Sequence, residues 1–191
     1  MGKALKAFTV LFIFLLLVAC NDDKNVNQDQ RNNTESEHSI SELDIGVIGK
    51  TPENTFEKVT FSQVDPESLK KAEYDAYFVT DKYFQELSQD KWVSVFSDLY
   101  KPVFFLNSNI EPFIFRVEHM QYDDGYPKAT MNTGGFVKLK DQDGYKKWGY
   151  GDPDESTDVD HVSEWIFKEM FQDITDYLND NQSLFYTKIN N

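Results

Sequence analysis

Twelve residues near the amino terminus, Phe8 to Ala19, are apolar except for Thr9, and the run stops abruptly at Cys20, Asn21, Asp22 and Asp23. As a helix it would reach roughly 18 Å, well short of the roughly 30 Å hydrocarbon core of a bilayer. A stable transmembrane span is disfavoured. Lys3 and Lys6 precede the run, so the order is basic, apolar and then small, which is the order of a secretory signal. The folded part must therefore be built from residues beyond this run.

The end of the run, Leu17-Val18-Ala19-Cys20, resembles the lipobox of bacterial lipoproteins. That resemblance implies residues 1–19 as a lipoprotein signal peptide, cleavage just before Cys20, and lipid such as palmitate on the cysteine. It also implies anchorage to the cell membrane on its extracytoplasmic face. Acyl chains contribute about 0.8 kcal/mol per buried methylene, and more than one is needed for stable anchoring, a need that a multiply acylated cysteine meets. Cys20 is the only cysteine, so no intramolecular disulfide can form in a compartment where disulfides persist. Richness in Asn, Lys and Tyr, together with this layout, resembles the many uncharacterised lipoproteins of bacilli, a likeness that implies no activity.

Residues 20–39 read as the lipidated cysteine and a disordered tether. Asn, Asp, Gln and Glu dominate residues 21–39, and Val26 is the one aliphatic side chain, so too little apolar surface exists to offset ordering entropy. From Ile40 the composition changes, with all three tryptophans and nearly all tyrosines and phenylalanines lying in residues 40–191. That length suits a single α/β domain with one substantial core. The chain carries 19 basic and 33 acidic residues for a formal charge of −14, and loss of Lys3 and Lys6 with the signal would take it to −16. Nucleic acid and anionic headgroups are poor partners for such a surface, because phosphate binding depends on clustered Lys and Arg. An envelope protein or a small ligand remains.

Ile45 to Ile48 and Val59 to Val64 have strand length and apolarity. Asp65-Pro66-Glu67 then offers an N-cap, a proline at the first helical position and an acidic first turn for a brief helix to about Ala72. Asp75 to Thr80 reads as a strand, ending where Asp81 can cap a longer helix; Trp92, Val95, Phe96 and Leu99 share a face in its second part. Lys101-Pro102 stops that helix before a strand at Val103 to Asn107. Alternation of strand and helix predicts parallel strand-helix-strand units in the first half.

In the second half, Phe113, Phe115 and Val117 alternate with Ile114, Arg116 and Glu118, a period of two that predicts a half-exposed strand. Phe136 to Lys140 and Tyr145 to Tyr150 flank Asp141-Gln142-Asp143-Gly144, which reads as an antiparallel hairpin with glycine at a positive-φ position. Val162, Ile166, Met170, Ile174 and Leu178 repeat every four residues, with Trp165 and Tyr177 beside them, and predict a carboxyl-terminal helix. The expected class is α/β with a mixed sheet, parallel early and antiparallel late.

Ligands in open α/β sheets bind beyond the carboxyl ends of the parallel strands. Those ends carry Lys50 and Thr51, Thr80 and Asp81, and Asn107 and Asn109, which makes these six the candidate ligand residues. Gly46-Val-Ile-Gly49-Lys50-Thr51 invites comparison with a phosphate-binding loop, but the first glycine of that motif falls on Asp44, and a strand-ending turn accounts for the residues. Asp152, Asp154, Asp158 and Asp160 supply oxygens at calcium-loop spacing, yet Thr157 stands where the loop needs glycine and Ser163 where it needs a bidentate glutamate. A solvated acidic loop ahead of a helix explains them as well. Tyr122 to Tyr126 and Tyr145 to Tyr150, with Trp148, offer flat faces to sugars or peptides, or pack across an ordinary hairpin.

No G-x-S-x-G elbow and no H-E-x-x-H spacing occurs. A non-enzymatic binding or accessory protein of the cell envelope, without a resident cofactor, is the leading expectation. The alternative is a metal-assisted envelope hydrolase using His119 or His161 with nearby carboxylates.

Overall fold

Three strand-length runs of almost uninterrupted apolar residues can be buried only if a sheet is covered on both faces. The computed structural model, which describes residues 40–108, 110–124, 129, 131–151 and 159–189, meets that requirement. Six strands form one mixed sheet: β1 (Leu43–Ile48), β2 (Val59–Gln63), β3 (Ala76–Val79), β4 (Val103–Phe105), β5 (Thr133–Lys138) and β6 (Tyr145–Tyr150). Their spatial order is β2-β1-β3-β4-β5-β6. β1 pairs in parallel with β2 (Leu43 opposite Val59) and with β3 (Ile45 opposite Ala76), and β3 pairs in parallel with β4. The β4–β5 and β5–β6 pairs are antiparallel.

The period of two along the strands sorts their side chains into two cores. Leu43, Ile45, Val47, Ala76, Phe78 and Phe104 point to one face, where helix α3 (Glu164–Ile189) lays down Ile166, Phe167, Met170, Phe171 and Ile174. Phe56, in the loop between β1 and β2, packs its ring 4.9 Å from Phe171 and 5.4 Å from Phe167. Tyr77, Val79, Val103 and Phe105 point to the other face, covered by the 3-10 turn Pro66–Lys70, helices α1 (Phe84–Leu87) and α2 (Asp90–Ser97), and the 3-10 turn Pro112–Arg116. Among the described residues no helix is long and apolar enough to cross a membrane.

Several local expectations are corrected. Residues 113–117 are not a strand: Pro112–Arg116 form a 3-10 turn with the proline at its start, and Ile114 and Phe115 are both buried while Phe113 is exposed. Proline pre-sets the turn and removes a ladder donor, so an apolar run starting there curls instead of extending. Phe115 then stacks on Phe105 at 3.8 Å. The segment from Asp81 to Leu99 is broken: a 3-10 turn (Asp81–Tyr83) and α1 precede α2, with Thr80, not Asp81, at the cap position. At the break, buried Ser88 donates its hydroxyl to the Gln85 carbonyl and accepts the Tyr122 amide.

The brief helix after Asp65 is a 3-10 turn, and the Asp65 carboxylate makes no capping bond; its backbone carbonyl accepts the Ser68 amide instead. Gly144 lacks positive φ; Gly49 and Gly151 have it. The hairpin's first strand starts at Thr133, three residues before Phe136, and takes in Gly134 and Gly135, which lie close to neighbouring groups. A Cβ on Gly135 would lie 2.3 Å from the Phe104 ring.

Buried tyrosines give the fold an alkaline limit. Burial raises the phenols of Tyr77, Tyr122, Tyr150 and Tyr177 above their ordinary value of 10.0. For Tyr150 the Asp173 carboxylate, which accepts its hydroxyl at 2.7 Å, adds to the effect of burial. Above about pH 10 the unfolded chain loses these protons first and the native state keeps them, so the contribution of these tyrosines to stability is complete below about pH 10 and is lost as pH rises. Urea unfolding midpoints should therefore drop between about pH 9 and about pH 11, with a shallower drop for Tyr150→Phe. An equal slope in the variant would contradict this role for Tyr150.

Candidate functional site

The strand order carries a reversal. From β1 the chain moves to β2 on one side, and from β3 it moves to β4 on the other, so the two carboxyl ends that diverge are those of β1 and β3. In open α/β sheets that reversal is where ligands bind. Lys50 follows β1 and Thr80 follows β3, and the two meet: the Lys50 amide donates to Thr80 Oγ1 at 3.3 Å, and the Thr80 amide donates to the Ile48 carbonyl at 3.1 Å.

Gly49 makes this approach possible. Its φ is +126°, and a Cβ there would lie 1.8 Å from Thr80 Oγ1. Its carbonyl accepts the Gln63 side-chain amide at 3.0 Å, which ties the end of β2 to the same place. The glycine thus serves a strand-ending turn packed on Thr80. Gly46, inside β1, faces Tyr74 and Tyr77, so neither glycine of the loop comparison is spent on a phosphate cradle.

Around this centre the polar groups differ in how far they are engaged. Thr80 and Asn107 are buried, whereas Lys50 and Asp81 are exposed and Thr51 is half-buried. Leu106 donates to the Val79 carbonyl at 2.9 Å, so the Asn107 end of β4 follows next to Thr80. Asn107 has positive φ, its amide donates to Thr133 Oγ1 at 3.2 Å, and its Oδ1 accepts Asn132 Nδ2 at 3.1 Å. Ser108 is buried and bonds both the amide and the carbonyl of Ile110. Asn109 lies outside the described residues.

Asn132, Thr133 and Ser108 belong to this polar end and were missed in the sequence. Asn132 Oδ1 is a buried acceptor with no hydrogen-bond partner, and it lies where a Cβ on Gly151 would come within 2.6 Å. A buried acceptor left unpaired costs about 1–3 kcal/mol. The signal for it was Met131-Asn132-Thr133-Gly134-Gly135, a polar pair running directly into two glycines at a strand start.

Of the acidic residues at calcium-loop spacing, Asp152, Asp154 and Asp158 lie outside the described residues. Asp160 sits in the 3-10 turn Val159–His161 ahead of α3, and its Oδ2 pairs with Lys50 Nζ. That ion pair links the turn ahead of α3 to the end of β1. Among the described residues no three His, Cys, Asp or Glu side chains come together as metal ligands. His119, at φ +62°, holds its Nδ1 3.2 Å from Asp90 Oδ2, and its amide donates to Asp90 Oδ1 at 2.7 Å. His161 is exposed in the turn next to Asp160.

The aromatic segments pack inward. Tyr122 lies 5.1 Å from Phe84 and donates its hydroxyl to the Ser108 carbonyl. Tyr145 donates to the Ser97 carbonyl, and the Arg116 guanidinium sits 3.9 Å over its ring. Trp148 packs on Phe104 and Tyr177. Tyr126 lies outside the described residues. No protein-family model, curated protein or solved structure matches the chain.

Proposed function

We propose that the protein is a non-enzymatic binding or accessory protein of the bacterial cell envelope, anchored by lipid on Cys20 and held off the membrane by residues 21–39. Its ligand is a small polar molecule taken at the carboxyl ends of β1 and β3. The observation that carries the ligand site is the strand reversal between β1 and β3, which joins Lys50 to Thr80 beside exposed Asp81. Lys50 brings a cation that it shares with Asp160, Asp81 an anion, and Asn132 Oδ1 an acceptor in want of a donor. Cationic and zwitterionic ligands suit the overall charge of −14.

Residues 38–191 close as a compact unit containing both cores, so they serve as the protein for this test. Thermal unfolding is followed against amino acids, sugars, wall fragments, nucleotides and calcium. One class should raise the midpoint by roughly 5–10 °C at about a hundred times its dissociation constant, and Lys50→Ala with Asp81→Ala should remove most of that rise. A flat response to every compound, or a rise untouched by those substitutions, would overturn the site.

A further inference from the structure

The amino-terminal ends of β3 and β4 lie at the other end of the strands, and there the 3-10 turn Pro66–Lys70, the end of α2 and the segment after β5 surround a cleft of about 390 Å³. The size falls within the range of about 300–1,000 Å³ typical of small-molecule sites. Its floor is apolar: Leu69 and Leu99 are buried, and half-buried Ala72 and Val95 extend it. Its walls carry Lys70, Lys101, Lys140 and Asp98, with Glu67 beside Lys70 and Asp75 near Lys101. In a chain of net charge −14, three ammonium groups around one concavity are a local concentration of cations.

The partners of Lys70 and Lys101 are open to exchange. Lys70 bonds Glu67 at 2.7 Å and lies 5.0 Å from the Trp92 ring, while Lys101 is 4.0 Å from Asp75. Exposed pairs of this kind are worth about 0–1 kcal/mol, so a ligand anion competes with them at little cost. Backbone strain marks the same place: Ala72 holds φ +53°, a left-handed conformation that only glycine adopts freely.

We infer that this cleft binds a small amphiphilic anion, a carboxylate or phosphate ester on a short aliphatic body, with the head between Lys70, Lys101 and Lys140 and the body on Leu69, Ala72, Val95 and Leu99. It is separate from the ligand end of β1 and β3, and its test does not depend on that reading. Neither neutral amphiphiles nor cations satisfy both the floor and the rim.

The test is an amide-shift titration of residues 38–191 with octanoate, octyl phosphate and octanol, each below its aggregation threshold. Octanoate or octyl phosphate should bind at least tenfold more tightly than octanol, with the largest shifts at Leu69, Ala72, Leu99 and Lys101. Lys101→Glu with Lys140→Glu should weaken that binding at least tenfold; if this pair disturbs the fold, Lys140→Gln alone should weaken it about threefold. Binding of octanol as tight as either anion, shifts centred elsewhere, or charge variants that bind octanoate unchanged would each overturn the proposal.

Discussion

Phe105→Ala should destabilise the protein by about 3–5 kcal/mol, the cost of emptying a large, fully buried aromatic site. Phe105 is fully buried, stacks 3.8 Å from Phe115, and lies within 6.1 Å of Phe84, Phe96 and Phe136. These rings come from β4, β5, α1, α2 and the 3-10 turn at 112–116, so one substitution loosens five elements of that core together. Phe115→Ala should cost nearly as much. Phe113→Ala should cost less than about 1 kcal/mol, because its ring is exposed and belongs to neither core. Equal losses at 113 and 115, measured by urea denaturation, would restore the alternating strand and contradict the turn.

Gly49→Ala should cost about 2–4 kcal/mol, combining a forbidden φ with overpacking at a buried contact. With φ at +126° and a Cβ 1.8 Å from Thr80 Oγ1, the variant must push the Thr80 hydroxyl aside and lose its bond to the Lys50 amide. Fold stability and the proposed ligand end would therefore fail together. Gly144→Ala is the control: nothing lies within 4 Å of its Cβ, and the change should stay within about 0.5 kcal/mol. A Gly49→Ala protein as stable as the Gly144→Ala protein would show that the turn after β1 has another conformation.

How much of the fold was legible in the sequence depends on how locally each feature is encoded. β1, β3 and β4 were readable because strands buried on both faces are uninterrupted apolar runs. α3 was readable because Ile166, Met170 and Ile174 return every four residues and all face the sheet. The 112–116 segment misled because Phe113, Ile114 and Phe115 are all apolar, so any alternation could be drawn through them; Pro112 held the better signal. The break at Ser88 was hidden because its hydroxyl is satisfied by Tyr122, 34 residues away.

The candidate site divides in the same way. Lys50 and Thr80 could be named from strand ends alone, but their contact depends on strand order, which no local pattern encodes. The Lys50 pair with Asp160 spans 110 residues and was beyond any motif. Lys70, Lys101 and Lys140 carry no sequence relationship whatever; only the meeting of three connections at one end of the strands brings them to a shared cleft.

Carriage of the domain outside the membrane by a modified cysteine is tested by the mass of the protein extracted from the envelope of a bacterium that makes it. The expected result is a chain that begins at Cys20 with acyl groups on that residue, and a Cys20→Ala chain that takes up no labelled fatty acid and leaves the membrane fraction or stays unprocessed. A mature protein beginning at any other residue, or one beginning at Cys20 with a free thiol and no lipid, would contradict it.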